Sequence, residues 1–422
     1  MFDSRFYTEM NNMKVYLVGG AVRDGVLGIY AQDKDWVVVG STPQQMLTDG
    51  YLQVGKDFPV FLHPKTKDEY ALARTERKSG KGYTGFSTQF SPDVTLEEDL
   101  ARRDLTVNAI AKDSNNQLVD PFGGLSDIKN KILRHVTPAF VEDPLRVLRV
   151  ARFKARFHKL GFVIAAETNS LMREIVLNDE LQHLTPERVW VETQKALLED
   201  SPEQYFYALN ECGALEVVFP EIFKLFGVPQ RSDYHPEVDA GLHTMMVLAH
   251  SAKMKWKTEI RFAAVVHDLG KADTDPEILP KHIGHEKKSA ARVKEMCARL
   301  KVPKSYEQLA LLVAEFHTQC HQALSLKSST VLKLLERLDA FRRPERLDDF
   351  VKACEADAKG RKGFESTDYP QAMYLLEAYR LSSSISVDEI LASGYQGAEI
   401  GVQLRQLRIK LIENLKQTFI SP

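Results

Sequence analysis

The chain has 422 residues and a mass of 47.8 kDa, enough for two to four domains at roughly 100–200 residues each. Hydrophobic residues make up 44% and charged residues 27%, a globular balance that excludes a wholly disordered or collagen-like chain. With 56 Lys+Arg against 58 Asp+Glu the formal net charge is -2, so no overall basic excess advertises a nucleic-acid partner, although a local basic patch fits inside that balance.

Residues 1–12 are polar, with Asp3, Arg5 and Glu9, and lack the apolar core and cleavage site of a secretory signal. No apolar run approaches the ~20 residues that span a bilayer. Cys212, Cys297, Cys320 and Cys354 are far apart and form no CxxC pair, which fits a reduced compartment rather than a disulfide framework or a zinc-thiolate site. The expectation is a soluble, cytoplasmic, multidomain protein.

Lys14–Val18 reads as a short buried strand broken by Gly19-Gly20. Asp35–Val39 is a second strand, stopped by Gly40-Ser41-Thr42-Pro43, and Glu69–Arg74 a third. The stretch Arg77–Pro92, rich in Gly, Ser, Thr and Lys, reads as a mobile loop, and a loop of that length is more often functional than idle. From Asp143 onward strand signals fade. Helices are expected, with starts at Thr137-Pro138 and Thr185-Pro186 and breaks near Ser201-Pro202, Gly227-Val228-Pro229, Asp275-Pro276 and Arg343-Pro344. No fixed-period repeat or low-complexity tract interrupts this layout of a small α/β head followed by a long helical body.

Leu17–Asp24 reads as strand, tight turn and helix start. A helix N-terminus offers free N–H groups to a phosphate, glycines allow close approach, and Arg23 adds a forked donor. Such turns are common, so alone they say little. Asp33 and Asp35 are two apart and face the same way on an extended chain, beside the turn. Like charges so close call for a cation, and Mg²⁺ with a nucleoside triphosphate is the natural one. Two such ions activate an attacking hydroxyl and stabilise leaving pyrophosphate. Taken alone, two solvated acids before a strand are the commoner case. Further on, Glu142-Asp143-Pro144 precedes Arg146, Arg149, Arg152 and Arg156. These arginines share one slowly rotating helix face, and Glu142 to Lys159 carries a local charge of +4. The patch suits a triphosphate or an RNA backbone, though a solvated arginine face is the usual fate of such a row.

Four segments in order, LVGGAVRD, DKDWVVVG, RRDLTVNAIA and EDPLRVLRVARF, resemble the bacterial tRNA nucleotidyltransferases, the CCA-adding enzymes of the polymerase-β superfamily, from about residue 13 to the C-terminus. The resemblance implies an α/β head with a small mixed sheet, followed by an all-α neck, body and tail. The expected boundaries are 1–12 as an N-terminal extension or expression remnant, 13–140 head, 141–226 neck, 227–345 HD domain and 346–422 tail. It implies that Asp33 and Asp35 hold the metals, with Glu69 a further acid nearby. Gly20, Arg23, Arg103, Arg149 and Arg152 would hold the nucleotide, with Asp104 and Asn108 supporting Arg103. Asp143 and Arg146 would read the incoming base, accepting C and A through their exocyclic amines. The loop at Arg77–Pro92 would help switch from C to A. CTP, ATP and the tRNA acceptor arm are the implied partners, with the chain a monomer or homodimer and no membrane involved.

His267-Asp268, in VVHDLGK after an apolar segment, resembles the metal motif of HD-domain phosphohydrolases. That resemblance implies His243 as the earlier ligand and Asp357 as the late acid, with Asp348 and Asp349 as nearby alternatives. The ion would be a transition metal or Mg²⁺, nickel among the candidates. His282, His285 and His317 are each weighted toward surface or packing roles, and His235 and His250 are left structural. An intact HD motif implies the multifunctional type with phosphatase, 2'-nucleotidase and 2',3'-cyclic phosphodiesterase activities. Three alternatives stay open: a poly(A) polymerase, a phosphohydrolase whose head only binds RNA, and a non-catalytic RNA-binding module.

Overall fold

A computed structural model describes residues 13–31, 33–54, 60–78, 86–233 and 235–420. The expectations for residues 1–12 and for the centre of the Arg77–Pro92 loop, residues 79–85, lie outside the described residues. The chain divides into two compact units: Met1–Thr185 with Glu211–Ala214, and Pro186–Asn210 with Leu215–Pro422.

The first unit is built on a seven-stranded mixed sheet. Its strands are β1 (Lys14–Val18), β2 (Asp35–Val39), β3 (Leu52–Val54), β4 (Val60–Leu62), β5 (Glu69–Leu72), β8 (Ala111–Lys112) and β9 (Leu118–Val119). They lie in the order β3-β4-β5-β2-β1-β8-β9, with β2 and β5 parallel and the other pairs antiparallel. Alternation on β2 separates the two faces. Val37 packs with Val18, Leu100 and Ala109 on one side, and Val38 with Met46, Phe61 and Leu72 on the other. Burial of both faces explains why the second half of β2 reads as an unbroken apolar run.

The described flanks of Arg77–Pro92, up to Lys78 and over Phe86–Phe90, are strand rather than the expected loop. β6 (Arg74–Lys78) pairs antiparallel with β7 (Phe86–Phe90), from Arg74 opposite Phe90 to Lys78 opposite Phe86. The partner strand supplies the hydrogen bonds that this polar, Gly-rich composition does not announce locally.

The expected neck, 141–226, is divided between the units. Its first part contains the helix Leu145–Phe157, which ion pairs bind to the head, whereas the helix Pro186–Leu198 belongs to the second unit. Thr185-Pro186 opens a helix as read, and Thr137-Pro138 opens a 3₁₀ turn, Pro138–Glu142. The second unit is helical. Trp190, Phe262 and Tyr306 meet edge to face with centroids 5.0–6.0 Å apart, pinning Pro186–Leu198 to the helices Thr258–Val266 and Lys304–His321. The helix Pro344–Lys359 runs across the expected boundary at 345/346 and carries Asp357 inward, so a residue assigned to the tail is buried in the helical unit.

Candidate functional sites

At the head, Gly19 ends β1 with φ +67° and ψ -128°, a conformation suited to glycine. A Cβ there would stand 2.8 Å from Arg103 Nη1, so the missing side chain also makes room for that guanidinium beneath the turn. Gly20 then starts the helix Gly20–Val26. Asp35 lies opposite Val18 across the β1–β2 ladder and opposite Glu69 on β5. Asp33, Asp35 and Glu69 are exposed, and among the described residues none forms a side-chain ion pair or hydrogen bond. Their hard oxygen donors, with no cation to neutralise them, fit Mg²⁺ at the mouth of the glycine turn.

Arg103 reaches Asp99 at 3.2 Å, and its buried Nε has no hydrogen-bond partner. That unspent donor beside the turn suits an anion. The reciprocal cap between Thr95 and Glu98 starts the helix Leu96–Ala101 that carries Asp99 into the core. Arg102 also folds onto Asp99, at 2.8 Å, so the basic pair is anchored rather than solvated.

Three expectations are corrected here. Arg23 is 3% exposed and faces inward. It pairs with Asp24 at 2.7 Å, donates to Asn108 Oδ1, and lies over the rings of Phe153 and Phe157 at 5.1 and 4.9 Å. It is a strut, not an open phosphate clamp. Asp104 serves Arg149 rather than Arg103, accepting a fork from it at 2.7 and 2.8 Å, whereas Asn108 does support Arg103, its backbone carbonyl accepting from Nη1 at 3.5 Å while its side chain takes Arg23 and donates to Asp104. The arginine row is largely spent within the protein. Arg146 is buried and donates to the carbonyls of Ala139 and Arg102; Arg152 is buried against Phe153; Arg156 pairs with Asp24 at 2.8 Å. Distant acids thus cancel part of the local +4. The result is one continuous chain, Arg156–Asp24–Arg23–Asn108–Asp104–Arg149, which ties the glycine-turn helix and the RRD segment to the arginine helix. Asp143 accepts from Leu145 N–H at 3.1 Å and caps that helix, with Pro144 just outside it.

Burial alone would raise Asp99 and Asp104. The arginines outweigh it, Arg102 and Arg103 for Asp99 and Arg149 for Asp104, so both carboxyls lie below their ordinary range. A depressed folded-state pKa contributes stability that is fully present above the unfolded value near 4 and is lost as pH falls through the folded one. The head transition in thermal unfolding should therefore move down as pH drops from about 4 toward 2, and Asp104→Asn should flatten that slope.

In the helical unit, His243, His267, Asp268 and Asp357 come together as expected. His267 Nε2 lies 3.0 Å from Asp268 Oδ2 and 3.7 Å from Asp357 Oδ2, and His243 Nε2 lies 3.0 Å from Asp357 Oδ1. The acid alternatives are excluded by their partners: Asp348 pairs with Lys352 and Asp349 with Lys257. His267 Nδ1 donates to the Ala264 carbonyl at 2.8 Å, which leaves a bare Nε2 lone pair against carboxylates in a buried place. Nε2 has no hydrogen-bond partner. Acceptor facing acceptor at 3.0 Å is repulsive unless a cation or proton lies between them, so this donor set fits a divalent metal. Burial opposes charge on His267, but Asp268 and Asp357 outweigh it and raise its pKa. Asp268 and Asp357 are in turn held well below the usual carboxylate range despite burial.

Further residues belong to the cluster, among them His285 and His317, which the sequence pattern weights toward packing. His285 Nε2 and His317 Nε2 lie 3.2 and 3.5 Å from Asp268 Oδ1. His321 donates to Asp357 at 2.7 Å and meets Tyr369, and Glu237 sits 3.0 Å from His243 Nδ1. The i,i+4 spacing of His317 and His321 on one helix was the available signal. His282 is not a ligand; it bonds Thr274 and the Pro229 carbonyl. His235 bonds Glu237, and His250 packs on Trp256. Lys271 reaches Asp268 at 2.7 Å.

An open cavity of about 830 Å³ adjoins the cluster, with Lys271, His285, His321, Arg361 and Tyr369 in its wall. Arg231, Lys271, Lys281, Lys359 and Arg361 stand there against Glu286 and Asp368, so the cavity favours anions. Gly270 sets part of this geometry. A Cβ on it would fall 2.4 Å from both His285 O and Ser289 N. These are backbone atoms, so Gly270→Ala should push the helix His285–Leu300 away and withdraw His285 from Asp268. The expected result is at least tenfold weaker metal retention with folded helical content, read by metal analysis and circular dichroism.

Among the described residues no helix is long and apolar enough to cross a membrane. Three family models match in order: the poly A polymerase head domain at residues 15–134, the probable RNA and SrmB binding site of polymerase A at 161–226, and the HD domain at 241–343. Among solved structures, a CCA-adding enzyme in apo form II is 23% identical with a TM-score of 0.65, over 95% of this chain and 88% of that one. The Thermotoga maritima CCA-adding enzyme complexed with tRNA is 22% identical with a TM-score of 0.63, over 97% and 91%. A CCA-adding enzyme with CTP is 22% identical with a TM-score of 0.62, over 95% and 87%. The chain therefore has the fold of the CCA-adding enzymes, with segments similar, in order, to a poly A polymerase head, an RNA-binding segment and an HD domain.

Proposed function

We propose that the chain adds and repairs the 3'-terminal CCA of tRNA, using CTP and ATP without a nucleic-acid template. The observation that carries this reading is the exposed Asp33/Asp35 pair opposite the end of β1, beside the Gly19-Gly20 turn and the unspent Arg103 Nε. Mg²⁺, when bound there, supplies charge neutralisation for the attacking 3'-hydroxyl and the leaving pyrophosphate. Asp33 and Asp35 hold the charge in place. Gly20 and the exposed edges of Arg103 and Arg149 take the triphosphate, with Arg152 and Arg23 beneath them. Base choice by Asp143 and Arg146 is part of the reading. It entails that Arg146 exchanges its bonds to Ala139 and Arg102 carbonyls for bonds to the base. Solved relatives bound to CTP, ATP and tRNA support these partners.

The helical unit, in the same reading, is a metal-dependent phosphohydrolase acting on phosphate monoesters, 2'-nucleotides and 2',3'-cyclic phosphates. His243, His267, Asp268 and Asp357 hold a transition metal, nickel among the candidates, and the cationic cavity takes the phosphate. A cytoplasmic monomer or homodimer completes the reading.

The test supplies a tRNA transcript lacking its 3' CCA with Mg²⁺ and CTP, ATP or both, and reads product length at nucleotide resolution. Two additions with CTP and a third only when ATP is also present are expected. ATP-only tailing would assign a poly(A) polymerase, and no extension would leave the head a binding module.

A further inference from the structure

We propose that the cavity beside the His/Asp cluster is a ribonucleoside subsite, in which Phe364 carries the base and Gln371 Oε1 accepts from a ribose hydroxyl. The proposal rests on the reading of this unit as a phosphohydrolase.

The cavity is larger than a phosphate needs. At about 830 Å³ it falls within the roughly 300–1,000 Å³ of clefts that enclose whole small molecules. Its wall is chemically divided. Lys271, Lys359 and Arg361 supply positive charge, whereas Phe364 and Ile283, 38% and 75% exposed, supply apolar surface for which an inorganic anion has no use.

The turn that carries Phe364 is tied to the cluster. Gly363 takes φ +86°, and the Phe364 N–H donates to the Arg361 carbonyl at 3.0 Å. Arg361 lies 3.7 Å from Asp357, and the Lys362 N–H donates at 3.5 Å to Glu237, the carboxylate that meets His243. Two acids of the cluster therefore fix the ring relative to the place where phosphate binds. Tyr369, also in the wall, is already engaged: its hydroxyl contacts His321 and Cys320, and its ring meets His321 edge on at 5.7 Å. Phe364 is left to offer its face, and a base stacks on such a face whatever its identity.

The polar atoms left over in the wall fit the rest of a nucleotide. Gln371 Nε2 donates to the His321 carbonyl at 3.2 Å. A carbonyl only accepts, so the amide orientation is fixed and Oε1 is the free end. That oxygen is buried without a hydrogen-bond partner. Gln230 is the reverse case. Its Oε1 accepts from Lys271 Nζ, which only donates, and its buried Nε2 is without a partner. One unmet acceptor and one unmet donor carry a desolvation cost that a ligand with a hydroxyl and phosphate oxygens removes. Lys271 also meets Asp268 at 2.7 Å, so Gln230 belongs to the phosphate end, and Gln371, two residues beyond Tyr369, to the sugar.

The test uses the full chain and two monoesters of secondary alcohols, adenosine 2'-monophosphate and glycerol 2-phosphate, which differ in having a nucleoside. Phe364→Ala should lower the ratio of kcat/KM for the nucleotide to that for the glycerol ester about tenfold, chiefly through KM of the nucleotide. Phe364→Leu, which keeps bulk and removes the ring face, is the second variant should alanine disturb the fold. Gln371→Leu, similar in volume, should cost about fivefold more on adenosine 2'-monophosphate than on its 3'-deoxy analogue. Stacking is read without turnover by the fluorescence of 2-aminopurine riboside 2'-monophosphate, which metal-stripped protein should quench and Phe364→Ala should quench less. An unchanged ratio in both Phe364 variants overturns the subsite, while hydrolysis of the glycerol ester leaves the phosphohydrolase reading standing. Equal cost of Gln371→Leu on both nucleotides overturns the sugar contact. If neither ester is hydrolysed, the phosphohydrolase reading fails and quenching decides the subsite: dependence on Phe364 supports it, and its absence overturns it. A short oligoribonucleotide with a 2'-phosphate at its 3' end separates the sources of the ligand. Dependence on Phe364 there assigns RNA ends, dependence confined to the mononucleotide assigns free nucleotides, and either result supports the subsite.

Discussion

On the proposed reading, Asp33→Ala or Asp35→Ala should lower CTP and ATP incorporation by about a thousandfold or more, because each would remove a ligand of the ions proposed to neutralise charge in the transition state. Thermal stability should hardly change. Both carboxylates are exposed and unpaired among the described residues, so nothing in the fold depends on them. This combination separates them from Asp104, which is buried in the ion-pair chain and whose loss should lower activity and stability together. Primer-extension rates beside unfolding curves for the three variants make the check. An Asp33→Ala protein that incorporates CTP at the normal rate would sink the nucleotidyltransferase reading of the head.

His267→Ala should abolish hydrolysis of 2',3'-cyclic AMP while leaving CCA addition within about twofold. The loss follows from geometry. His267 Nε2 is the bare, buried donor between Asp268 and Asp357, and without it the ion proposed for this cluster would lose a nitrogen ligand. Alanine also leaves Asp268 and Asp357 facing each other's charge, so His267→Gln serves as the companion variant that preserves volume. Normal phosphodiesterase activity in both variants would remove the HD cluster from the chemistry. Loss of CCA addition in a folded His267→Gln protein would mean that the two activities depend on each other.

The sequence reading was most reliable where local pattern and chemistry coincide. The runs KVYLV and DWVVV name their own strands, and HDLGK names its site, because each feature is complete within a few residues. Strands β8 and β9 are two residues long and exist through pairing with β1 and each other, so no local run announces them. The hairpin β6–β7 was hidden for the same reason. The arginine helix shows a different limit. Its positive charge is legible, but the acids that meet it, Asp24 and Asp104, are 132 and 45 residues away along the chain. Likewise His285 and His317 read as ordinary helix residues until Gly270 lets one helix close on the HD turn.

The two candidate sites draw on separate stretches of chain. The head site is assembled between Gly19 and Arg156, the His/Asp cluster between Glu237 and Tyr369, and among the described residues none belongs to both. Mutational drift can therefore erode one chemistry without touching the other. A lineage that no longer needs phosphoester hydrolysis is free to lose Asp268 or His285 while purifying selection keeps Asp33 and Asp35. Within each site the opposite holds. Asp24 answers two arginines and Asp268 answers three histidines and a lysine, so replacements there should survive only as compensated sets. Descendants of this chain are thus expected to differ by whole sites, kept or discarded, more than by gradual blends of the two.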